Sequence, residues 1–65
     1  MKEDLKAARK ASGKTQERVA MEIGISTLSY QRYEYGKREP SVRTAIRIAD
    51  VLGVKPYQDF KSIFN

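Results

Sequence analysis

The sequence predicts an all-α fold of five short helices without a strand, and three observations carry that expectation. Apolar residues recur at helical spacing along most of the chain. Thr or Ser stands where a helix would begin, and Gly or Pro interrupts the pattern between segments. No stretch shows the strict apolar and polar alternation of a half-buried strand, although the four Tyr residues are strand-prone.

Helix one is expected from Met1 to Ser12, with Leu5 and Ala8 on one side, Lys2, Lys6 and Lys10 on the other, and Ser12-Gly13 as its stop. Thr15 caps a short second helix. Glu17 suits its first turn, and Val19, Ala20 and Ile23 form an apolar stripe that ends at Gly24. Ser26 caps a third helix from Thr27 to about Tyr35, with Tyr30 and Tyr33 inward and Gly36 as its stop. Gly36-Lys37-Arg38-Glu39-Pro40 reads as a polar turn, after which Ser41 caps a fourth helix. Its apolar stripe is expected to be Val42, Ala45, Ile46, Ala49 and Leu52, closed by Gly53. Pro56 fits the first position of a fifth helix, whose apolar side is Tyr57, Phe60, Ile63 and Phe64.

Size and composition narrow the function. A chain of 65 residues is one domain, residues 1–65, and buries only about 60% of the surface its unfolded form exposes. Its core is thin, so pairing with a second copy is expected on size alone. With no Cys and no His, the usual nucleophile and base pairs and the soft metal sites are missing, so no enzyme activity and no metal or cofactor is expected. No apolar run approaches the about 20 residues of a membrane span, and Met1-Lys2-Glu3-Asp4 does not open a signal peptide; a soluble cytoplasmic protein without a membrane partner is the expectation. Lys and Arg number 13 against 8 Asp and Glu, a net charge of +5. The excess sits in two blocks, residues 1–14 and 27–47, each with five bases and two acids. Scattered solvated lysines and a nucleic-acid face both account for such a pattern.

Thr15 to Ser26, followed by helix three, is a short helix, a turn opened by Gly24 and a capped second helix: a helix-turn-helix layout. Ala20 is small where two helices would cross, Gly24 can take positive φ, and Ile25 can pin the turn to the core. An αα-hairpin without a DNA role has similar needs.

In the order and spacing of Leu5, Arg9, Thr15-Gln16, Val19-Ala20, Ile23-Gly24-Ile25-Ser26, Glu34, Gly36, Pro40-Ser41, Ala49 and Leu52-Gly53, the chain resembles the phage-repressor/Cro, or Xre-type, helix-turn-helix family. These residues run through nearly the whole chain. The resemblance implies a compact five-helix bundle of the lambda-repressor-like type, acting as a transcriptional repressor on a two-fold-symmetric operator of double-stranded DNA. It also implies a structural ion pair between Arg9 and Glu34 and a backbone contact for Gln16.

On the outer side of helix three, Thr27, Leu28, Gln31 and Arg32 are the candidate base readers. Arg32 suits guanine O6 and N7, Gln31 suits adenine, and Leu28 or the Thr27 methyl suits a thymine methyl. Phosphates are assigned to Gln16, Ser26, Ser29, Lys37, Arg38 and Arg43. Lys2, Lys6, Lys10 and Lys14 are weaker candidates, since a lysine face on a terminal helix is usually solvation. Helix five supplies more apolar surface than a thin core needs, and the adjacent Ile63 and Phe64 cannot both face inward. Phe60, Ile63 and Phe64 are therefore the expected homodimer interface. Two residues depart from the family pattern. Tyr30 stands at an inward site that is usually aliphatic, so its hydroxyl needs a partner or water. Tyr35 stands where a polar residue is usual, and exposed packing, a phosphate contact and a partner contact are all open to it. The alternative function is a small protein-interaction module, antitoxin-like or adaptor, with its basic face on an acidic partner.

Overall fold

The computed structural model describes residues 2–54, with the side chains described from Leu5 onward. Four helices run in order: α1 Lys2–Ser12, α2 Gln16–Ile23, α3 Thr27–Glu34 and α4 Val42–Leu52. The expected fifth helix, with Pro56, Tyr57, Phe60, Ile63 and Phe64, lies outside the described residues.

Local chemistry fixes the helix ends. Thr15 Oγ1 accepts from Arg18 N at 3.0 Å, Ser26 Oγ from Ser29 N at 3.1 Å and Ser41 Oγ from Thr44 N at 3.1 Å, each satisfying an amide that the first helical turn leaves open. Gly24 follows α2 at φ 82°, a left-handed conformation that L side chains rarely adopt. That conformation brings Gly24 N to 2.9 Å and Ile25 N to 3.0 Å from Ala20 O, closing α2 and turning the chain at once into α3.

Leu5 from α1, Val19, Ala20 and Ile23 from α2, Tyr30 and Tyr33 from α3, and Ile48 and Leu52 from α4 form one buried cluster. The half-buried Ala8, Ile25, Val51 and Val54 pack on its margin. Helix α2 lies at the centre, packed on both α3 and α4, while α1 closes the opposite side against the same two helices. Ala20 is 1% exposed at this crossing, where its single methyl lets the neighbouring backbones approach.

Helix α4 corrects one expectation. Val42 is 71% and Ile46 46% exposed, and the buried stripe is Ala45, Ile48, Ala49 and Leu52. The two patterns share Ala45, Ala49 and Leu52 and differ by a rotation about the helix axis. Contact with α2 and α1 selects the face that carries Ile48.

Candidate nucleic-acid interface

Helix α3 divides its residues between two sides. Tyr30, Tyr33 and Glu34 are buried at spacings of three and four. Leu28 and Arg32, also four apart, are exposed, and Thr27 and Gln31 beside them are half-buried. Leu28 keeps 59% of its surface open at the start of the helix. Among the described residues, no carboxylate lies within ion-pairing distance of Arg32, Lys37, Arg38 or Arg43.

Beyond α3 the chain turns tightly. Tyr35 caps the helix and is exposed, Gly36 takes φ 72°, and the amides of Lys37 and Arg38 lie 2.9 and 3.3 Å from Arg32 O. The exposed Lys37 and Arg38 thereby follow directly on the α3 C-terminus, whereas the exposed Arg43 belongs to α4. At the other end of α3, Ser26 Oγ donates to Ser29 Oγ at 2.9 Å while accepting the Ser29 amide. Ser26 is thus occupied in capping, and the Ser29 hydroxyl keeps its own proton for an outside acceptor.

A polar chain runs from α1 to α3 through the start of α2. Arg9 Nε donates to Glu34 Oε2 at 2.5 Å, its Nη2 reaches Glu34 Oε1 at 3.4 Å, and its Nη1 donates to Lys14 O at 2.9 Å. Gln16 Nε2 donates to Glu34 Oε1 at 3.0 Å, and Gln31 Nε2 donates to Gln16 Oε1 at 3.0 Å. Glu34 is only 3% exposed. Burial by itself pushes its carboxyl toward neutrality, but the polar groups around it, Arg9 first and then the nearby Tyr30 hydroxyl and Gln16, outweigh burial and hold it below the usual carboxylate value, so it is ionised at neutral pH. The Tyr30 hydroxyl is fully buried in this neighbourhood and has no hydrogen-bond partner among the described residues. Burial, and after it the neighbouring Glu34 carboxylate, push its pKa upward. The inward Tyr30 therefore finds neither a partner among the described residues nor open solvent, because α1 and α2 pack over the side of α3 that carries it.

Lys14 stands apart from the other amino-terminal lysines. Its Nζ donates to Glu22 Oε1 at 2.8 Å and to Val51 O at 2.8 Å, tying the α1–α2 junction to the last turn of α4. Glu22 also pairs with Arg18, one helical turn away on α2. Lys6 and Lys10 remain exposed on α1.

Sequence reading missed the direct contacts of Gln16 with Glu34 and Gln31. The residue types were the available signal: two amides and a carboxylate on α2 and α3. Their registry depends on how the two helices cross. The expected dimer residues Phe60, Ile63 and Phe64 lie outside the described residues.

Two helices joined through a glycine turn, the second with one face in the core and the other open, define a helix-turn-helix domain. The helix-turn-helix family model matches residues 5–58, and the chain belongs to that family, in its Cro/Xre-type branch. It is a family of DNA-binding transcriptional regulators. The chain is 46% identical over 54 residues to the cryptic phage CTXphi transcriptional repressor RstR of Vibrio cholerae, a match that covers 83% of this chain and 48% of that protein. It is 40% identical over 52 residues to the SPbeta prophage-derived HTH-type transcriptional regulator YonR of Bacillus subtilis, covering 80% of this chain and 48% of the relative. An HTH-type transcriptional regulator of Methanocaldococcus jannaschii shares 40% identity over 55 residues, 85% of this chain and 83% of its own length. The chain spans about half the length of the first two relatives. No solved structure matches it significantly. Among the described residues, no helix is long and apolar enough to cross a membrane.

Proposed function

We propose that this domain binds double-stranded DNA sequence-specifically as a transcriptional repressor, with α3 in the major groove. The observation that carries the reading is the open side of α3, where an apolar Leu28 and an Arg32 that has no carboxylate partner among the described residues stand one turn apart. An exposed Leu beside an uncompensated guanidinium suits a groove that offers thymine methyls and guanine acceptors. Thr27, Leu28, Gln31 and Arg32 read bases. Lys37, Arg38 and Arg43 neutralise phosphates, helped by Gln16, Ser26 and Ser29; Ser26 acts mainly by holding the α3 amino terminus. Two copies, paired through Phe60, Ile63 and Phe64, sit on the halves of a two-fold-symmetric operator about one DNA turn, roughly 34 Å, apart. The repressor named among the relatives supports the direction of regulation.

Fluorescence polarisation on a random duplex pool, titrated with salt, tests the reading. Three phosphate-bound cations per copy predict a slope of log affinity against log salt of roughly −3 per copy. Absence of salt-dependent duplex binding would overturn it and favour the protein-interaction module.

A further inference from the structure

The polar chain ending at Gln31 has a direction, and this inference rests on the proposed DNA-binding reading. An ionised carboxylate only accepts hydrogen bonds. Gln16, bonded to Glu34 Oε1 at 3.0 Å, must therefore turn its NH2 toward Glu34 and its carbonyl away. Gln31, 3.0 Å from that carbonyl, must in turn spend an N–H on it. The end of the chain is then the Gln31 carbonyl, which has no donor among the described residues, together with one remaining N–H. An isolated Gln can rotate its amide and offer either end to a base; this one cannot without leaving two acceptors face to face.

We propose that Glu34, acting through Gln16, fixes the amide polarity of Gln31 so that it presents a carbonyl to the groove and selects a base with an exocyclic amino group. Adenine suits it best, because N6–H donates to the carbonyl and N7 accepts the remaining N–H. Cytosine satisfies the carbonyl alone through N4–H. Guanine O6 and thymine O4 set acceptor against acceptor at the carbonyl and can be met only by the single remaining N–H, so both are disfavoured relative to adenine, as is a phosphate oxygen opposite the carbonyl. Gln16 and Glu34 are positioning residues in this arrangement. Gln16 retains its second N–H for a phosphate.

Selection of bound sequences from a random duplex pool, run in parallel on the wild type and the variants Gln31→Ala, Gln16→Met and Glu34→Gln, tests this. Gln31→Ala identifies the base position that Gln31 reads, as the one that loses its preference. At that position the wild type should favour adenine over guanine by about tenfold. Gln16→Met keeps side-chain length but breaks the chain; the preference there should fall to within about twofold, while positions read by Arg32 keep theirs. Glu34→Gln should relax the same position, and Gln16→Met decides the matter if Glu34→Gln does not fold. A keto base preferred by the wild type, no position lost in Gln31→Ala, or an unchanged preference in Gln16→Met would each overturn the proposal with DNA binding intact. A wild type that binds no duplex overturns the DNA-binding reading itself.

Discussion

Glu34 carries a charge at 3% exposure, and its surroundings explain how: Arg9 and Gln16 between them occupy both carboxylate oxygens. A buried pair of this kind adds little net stability over an apolar one, but loss of one partner leaves an uncompensated charge and costs about 3–5 kcal/mol. Arg9→Met and Glu34→Leu should each destabilise on that scale, and the double variant should recover much of the summed loss; strict additivity in denaturant melts would count against coupling. The pair also sets an acid limit. Its folded pKa is depressed below the ordinary 4.5, so its contribution is complete above that value and is lost as pH falls through the lower folded one. Melting temperature should drop on acidification below about pH 4.5, with a smaller drop in the Glu34→Leu variant. Next to it, the orphaned Tyr30 hydroxyl predicts the opposite sign: Tyr30→Phe removes a buried unsatisfied group and should stabilise by about 1 kcal/mol, a rise of several degrees in a domain this small. A fall would mean that the hydroxyl is paired. At the groove, Arg32→Ala should cost about 1–3 kcal/mol on the preferred site and flatten one base position. Lys37→Ala and Arg38→Ala should instead weaken all duplexes alike and reduce the salt slope by about 1 each.

At the scale of elements, the α2–α3 junction depends on one backbone conformation. A Cβ on Gly24 would meet no atom within 4 Å, so Gly24→Ala is penalised by its φ of 82° alone, about 1–2 kcal/mol in thermal or chemical unfolding. Helix α4 offers a sharper contrast. Ile48→Ala empties a fully buried site and should cost about 2–5 kcal/mol, whereas Ile46→Ala removes a side chain that is 46% exposed and should cost well under half as much. Equal losses would restore Ile46 to the core and rotate the helix back to the stripe that periodicity alone suggests.

For the whole molecule, the small core and the operator pose the same requirement. In the proposed reading a single recognition helix would reach only a few base pairs, and useful selectivity would come from two copies held at a fixed spacing. The apolar Phe60, Ile63 and Phe64 remain the proposed pairing surface. In sedimentation, the wild type should dimerise at micromolar concentration, and an Ile63→Asp, Phe64→Asp variant should sediment as a monomer. A wild type that stays monomeric at high micromolar concentration would overturn this pairing without touching DNA recognition.

The four described helices and their boundaries were legible in the residues, because caps such as Thr15, Ser26 and Ser41 and the turn at Gly24 act within a few residues of the chain. The two-sidedness of α3 was legible for the same reason: Tyr30 and Tyr33 lie one turn apart, as do Leu28 and Arg32. Tertiary packing decided what local periodicity leaves degenerate. On α4, Val42, Ala45, Ile46, Ala49 and Leu52 fit a helical stripe as well as Ala45, Ile48, Ala49 and Leu52 do, and only the contact with α1 and α2 distinguishes them. Packing also joined Arg9, Gln16, Gln31 and Glu34, since hydrogen bonds between residues 15 to 25 positions apart depend on where helices cross, a property that no window of the sequence contains.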